Sequence, residues 1–198
     1  MNTELLRPID GLRLAEEYRA LLRPDEGEAG ANGTVHHLPR FFYEISSWEE
    51  AHEIRLAPHF TLAELMLVDC REAKLLLRQF PHYVPCAIVL LARFLEAFRR
   101  EIDAPVFISA NGGYRSAGHQ NGGAKSIHAW GTAANIYRIG DTFVSDTKSM
   151  EKYRTIAASL GPAVFVRPFG REKGQTSDHL HVDLGYVRLT PRECSEAT

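Results

Sequence analysis

The period of the apolar positions changes several times along the chain, and each change predicts an element. Leu5, Leu12, Leu14, Tyr18 and Leu21 form a loose stripe that predicts helix from residue 1 to about 22. The stretch from Pro24 to Gly33 is loop by composition, and Val35 to Ser46 reads as extended. Ser47 with Glu50, and Thr61 with Glu64, are capping-box pairs that predict helix starts. Pro85 suits the first turn of a long helix, with Ile88, Leu91, Leu95, Phe98 and Ile102 on one face. Ala104-Pro105 ends that helix, and Val106 to Ser109 reads as a buried strand. Thr132 to Ile139, Val164 to Val166 and Leu180 to Tyr186 read as further strands, with a helix over Ser145 to Leu160.

Helices grouped ahead of strands predict an α+β fold with a mainly antiparallel sheet. Residues 1–57 read as a helical N-terminal extension packed on a main domain of residues 58–187, and residues 188–198 as a tail. The chain of 198 residues is long enough for one domain with a full core.

Composition narrows the function only slightly. A net charge of -2 gives no bulk basic field, so nucleic acid is not expected as a partner. No apolar run is long enough to span a membrane; the longest candidate, Val84 to Phe98, is interrupted by Arg93 and Glu96. The start lacks a basic end followed by an apolar run, so the expected location is the cytoplasm. Cys70, Cys86 and Cys194 have no metal-like or paired spacing and read as free thiols.

The chemistry gathers in two segments. The first is Ser126-Ile127-His128-Ala129-Trp130-Gly131-Thr132-Ala133-Ala134-Asn135, and the second is Asp178-His179-Leu180-His181-Val182-Asp183. A histidine, a polar residue seven positions on and a distant His-x-His is how a sheet protein assembles a zinc site. Residues two apart on a strand share a face, so His179 and His181 can look into one cleft. Asp178 reaches that cleft only if the strand begins after it. The remaining histidines considered, His36, His37, His52, His59 and His82, carry no such pattern.

Together with Gly113-Tyr114-Arg115-Ser116 and Gly122-Gly123, these segments resemble the zinc D-Ala-D-Ala carboxypeptidases, peptidase family M15, which share a fold with the hedgehog signalling domain. The resemblance runs from about Pro58 to Val187. It implies that His128 and His181 are zinc ligands and that Asn135 stands where the family has an aspartate ligand. It also implies that Asp178 is the acidic general base, that Arg115 polarises the scissile carbonyl, and that Ser126 contacts substrate. His179 is a further candidate for substrate contact.

Asparagine offers a neutral oxygen where aspartate offers a charge, and that leaves three readings. Zinc is held by His128, His181 and a weak Asn135 contact; or His179, Asp178 or Asp183 supplies the third ligand; or the metal is lost. The expected function is accordingly a zinc-dependent hydrolase acting on a small peptide or amide. The alternatives are a cytoplasmic biosynthetic enzyme with other chemistry in the same cleft, and a non-catalytic binding module.

Overall fold

The computed structural model describes residues 6–30, 32–69 and 80–194. Cys70 and Leu5 lie outside these residues, as does the end of the C-terminal segment.

The N-terminal region departs from the expected helix. Arg7–Asp10 is a strand, β1, and only Glu16–Leu22 is α-helical, α1. Two local features explain this. Pro8 has no N–H to give a helix, and it sits instead on an edge strand. The Asp10 carboxylate accepts the Leu12 N–H and diverts the chain into a short 3-10 turn. The loop expected over residues 24–33 is partly paired: Gly27–Ala29 (β2) and Val35–His37 (β3) form an antiparallel hairpin.

Phe41–Glu44 (β4) follows, then Trp48–Glu53 (α2), Arg55–Ala57 (β5), Phe60–Thr61 (β6) and Leu62–Met66 (α3). The Ser47 hydroxyl caps α2 by accepting the Glu50 N–H. At α3, the Glu64 carboxylate accepts from the Thr61 N–H. Pro85 belongs to Tyr83–Pro85 (β7), not to a helical turn; the long helix α4 spans Ile88–Ile102. It stops where Asp103 turns left-handed at φ 49°, two residues before Pro105.

A first antiparallel sheet has the order β1-β4-β7. The second is built from Val106–Ile108 (β8), Ala133–Ile139 (β9), Thr142–Phe143 (β10), Phe165–Val166 (β11) and Leu180–Asp183 (β12). Its order is β10-β9-β12-β11, with β8 also paired to β9. Thr147–Ser159 is the last helix, α5, capped by the Asp146 carboxylate on the Ser149 N–H. The fold is therefore mixed α and β, with antiparallel sheets flanked by helices.

One core crosses residue 58. Tyr43, Ile45, Ile54 and Leu56 pack in the same cluster as Leu95, Phe98, Ile136 and Val182. The inner face of α4 is closed to solvent at Ile88, Leu91, Leu95 and Phe98. Burying each such side chain contributes about 1.5–3 kcal/mol, so this helix is a main support of the shared core. Among the described residues no helix is long and apolar enough to cross a membrane.

Candidate functional site

Sheet register brings the two motif segments together. Asn135 on β9 is the cross-strand partner of His181 on β12, so both side chains leave the same face. His128 arrives on a short 3-10 turn, Ile127–Trp130, which ends at Gly131 with φ 70°. The His128 and His181 rings stand 5.2 Å apart between centroids, at 64°. Both are almost fully buried and line a cleft of about 610 Å³ with Arg115, Ser126 and Asn135.

The Gly112-Gly113 pair holds this arrangement, and not through a positive φ as its composition suggests; neither residue has one. What matters is close approach. The Gly112 carbonyl accepts the Asn135 N–H at 2.7 Å, and a Cβ on Gly112 would lie 2.9 Å from the Asn135 carbonyl oxygen. The Gly113 carbonyl accepts from His128 Nδ1 at 2.8 Å, while its Cα packs against the end of α3. Adjacent glycines thus set the backbone of one site residue and the ring of another.

The imidazoles are oriented by these partners. A neutral ring has one N–H. His128 donates it from Nδ1 to Gly113, which leaves the Nε2 lone pair for the cleft. His181 Nε2 lies 3.2 Å from the Asp183 carboxylate, the kind of partner that aligns a ligating histidine. Its Nδ1 faces Asn135 Oδ1 at 2.8 Å. With the proton on Nε2, that contact sets two lone pairs against each other. It is relieved by a cation between them, or by rotation of the amide to present its NH₂.

The spacing of the two imidazoles is compatible with one shared zinc ion. Two imidazoles on one tetrahedral ion at about 2.0–2.1 Å have centroids roughly 5 Å apart, the spacing seen here. The oxygen nearest His181 Nδ1 is the neutral amide oxygen of Asn135. Among the described residues no three His, Cys, Asp or Glu side chains gather to hold a metal ion. Asp183 faces the far nitrogen of His181. Asp178 is turned to His179, whose Nδ1 lies 2.6 Å from its carboxylate.

β12 begins at Leu180, so Asp178 precedes the strand and lines the cleft, as does His179. The Asp178 side chain is 82% exposed, which places this pair at the rim. Arg115 Nη2 donates to Ser126 Oγ at 3.1 Å, deeper in the cleft. Motif reading missed Arg167, Lys125 and Asn111, which also line it. Arg167 arrives because its N–H pairs with the His181 carbonyl beside β11, a consequence of register with no local signal. His119 was overlooked as well; it is buried, accepts the Asn121 N–H on Nδ1, and donates from Nε2 to Asn111 Oδ1.

Burial pushes the His128 imidazole well below the ordinary histidine range, and Arg115 and His181 push it the same way. Burial also lowers His179 and His181, against the upward pull of Asp178 and Asp183. Each shift favours the neutral ring in the folded chain, most strongly at His128, while the unfolded chain takes up protons below about pH 6.5. Stability of the metal-free protein should be full above that value and fall as pH drops through it. The slope is at most about 1.4 kcal/mol per pH unit for a ring that stays fully neutral, and His128, the most strongly shifted, should contribute most. Urea midpoints at pH 7.5 and 5.5 measure it. Equal midpoints would show that the rings are not held neutral.

Compared with family models, curated proteins and solved structures, the chain has no match.

Proposed function

We propose that this cleft hydrolyses a small peptide or amide with zinc held by His128, Asn135 and His181, in the manner of the M15 peptidases that its motifs resemble. The observation that carries the reading is the convergence of two buried imidazoles, each with one ring nitrogen already engaged by a partner outside the cleft. Zinc there supplies Lewis acidity and a water acidified toward neutral pH.

The chain's own groups supply the rest. Arg115, steadied by Ser126, sets fixed positive charge where a carbonyl oxygen gains negative charge. Arg167 and Lys125 add to the positive potential and favour a substrate with a carboxylate. At the rim, the Asp178 carboxylate, hydrogen-bonded to His179, would take the proton lost by the attacking water and give it to the leaving amine. Asn135 favours a second reading, a member of the same fold turned to other chemistry, because a neutral third donor holds zinc less firmly than aspartate.

The test joins a zinc titration to a hydrolysis assay on N-acylated L- and D-dipeptides. The expected results are one zinc per chain, loss of that zinc in His128→Ala, and turnover by the native protein. Arg115→Ala should lower turnover about 10²-fold or more with little change in thermal midpoint. Zinc binding without hydrolysis of any dipeptide would favour the second reading. No zinc binding would overturn the hydrolase reading and leave the second.

A further inference from the structure

The main cleft does not end at Ser126. Ser126 and Arg167 also line a second cavity of about 340 Å³, and Tyr186 joins that cavity to a third of about 490 Å³. Lys125 lines all three, so they follow one another along one face.

Cations outnumber acids between Ser126 and Tyr186. Lys125, Arg167 and Lys173 line it and form no ion pair among the described residues. Between Ser126 and Tyr186 these three cations face two lining acids, Asp183 and Glu28, and Glu28 is already paired with Arg23 at 2.6 Å. The net field of that stretch therefore favours an anion.

The far end carries flat aromatic surface held in place. Tyr186 stacks on His36 from β3, with centroids 3.7 Å apart and planes 12° apart. Its edge meets Trp130 at 4.8 Å. Trp130 is fully buried and donates its Nε1–H to the His37 carbonyl at 2.9 Å. The buried Thr132 hydroxyl donates to the Gly185 carbonyl, anchoring the chain just before Tyr186. Tyr186 nonetheless remains 43% exposed, and Phe165 between the two ends 52% exposed. Exposed rings fixed by buried partners lose little freedom when a ligand stacks on them.

We infer that the path from Ser126 to the His36–Tyr186 stack is a subsite for an anionic group carried on a planar ring. Lys125, Arg167 and Lys173 take the anion, and Tyr186 and Phe165 take the ring. In the hydrolase reading it would hold the part of the substrate remote from the reacting bond, but its binding does not depend on metal or turnover.

The probe is phenylphosphonate, titrated into the full chain with EDTA present and followed by chemical shifts of the Tyr186 ring and of the Lys125 and His128 amides. Inorganic phosphate and benzyl alcohol serve as its two halves. Phenylphosphonate should bind at least about tenfold more tightly than either half, with the largest shifts at Tyr186 and Lys125. Tyr186→Leu should remove the advantage over phosphate, Tyr186→Phe should keep it, and Lys125→Ala should weaken phenylphosphonate and phosphate alike. The inference fails if phenylphosphonate binds no more tightly than phosphate, if Tyr186→Leu leaves it unchanged, or if the shifts centre on His128. Because EDTA removes metal, such a failure leaves the zinc reading standing, and loss of zinc binding leaves this one standing.

Discussion

Replacing Asn135 with aspartate, Asn135→Asp, should raise zinc affinity at least about tenfold, or about 1.4 kcal/mol. Asn135 Oδ1 already lies 2.8 Å from His181 Nδ1, on the cleft side of the ring. The substitution keeps the shape and adds a negative charge beside a dication in a largely dry site, where such interactions are far stronger than in water. A competition titration against a chromophoric chelator reads the change directly. Without metal the new carboxylate would accept a proton from His181 Nδ1, so the gain should be larger at pH 8 than at pH 6. Unchanged or weaker affinity would mean that Asn135 is not a zinc donor. Gain of dipeptide hydrolysis in the same variant would show that Arg115 and the Asp178–His179 pair are already placed for that reaction.

Gly113→Ala should cost at least about 3 kcal/mol of folding stability, the upper end of what overpacking costs. A Cβ there would lie 2.1 Å from the Leu65 carbonyl oxygen, and that oxygen is backbone, already accepting the Tyr114 N–H at 2.7 Å. Neither strand of chain can yield without breaking that bond. The same displacement would carry the Gly113 carbonyl away from His128 Nδ1, so zinc affinity should fall with stability. Gly161→Ala is the control, because a Cβ there meets only Val164 Cγ2 at 3.9 Å. Urea unfolding of the two variants decides the matter; equal midpoints would show that the close approach at Leu65 is absent.

The difference between those glycines is not visible in the chain as written. Gly112-Gly113 looks like a turn pair, as Gly122-Gly123 does. Only the second pair has positive φ, at 89° and 51°. Whether a glycine serves a turn or a close approach depends on what packs against it, and α3 comes from residues far upstream. The N-terminal segment misled for a related reason. Its apolar spacing suits a helix, but Pro8 pairs with Tyr43 as part of an edge strand, and pairing with β4 outweighs a weak local stripe.

The parts legible in the sequence were those set by local periodicity and by chemistry carried in short motifs. The long helix over Ile88–Ile102, the strand over Ala133–Ile139 and the strand at Leu180–Asp183 follow from apolar spacing, which each segment carries within itself. His128, Asn135 and His181 stood out because ligand-type residues at ligand spacing are rare by chance. The tertiary structure alone decided who stands beside them. The β9–β12 register put Asn135 opposite His181, and the β11–β12 pairing delivered Arg167. The hairpin of β2 and β3 carried His36 to Tyr186, residues far apart in the chain. Such neighbours are set by the alignment of distant strands, and one residue of slip would turn each side chain to the opposite face.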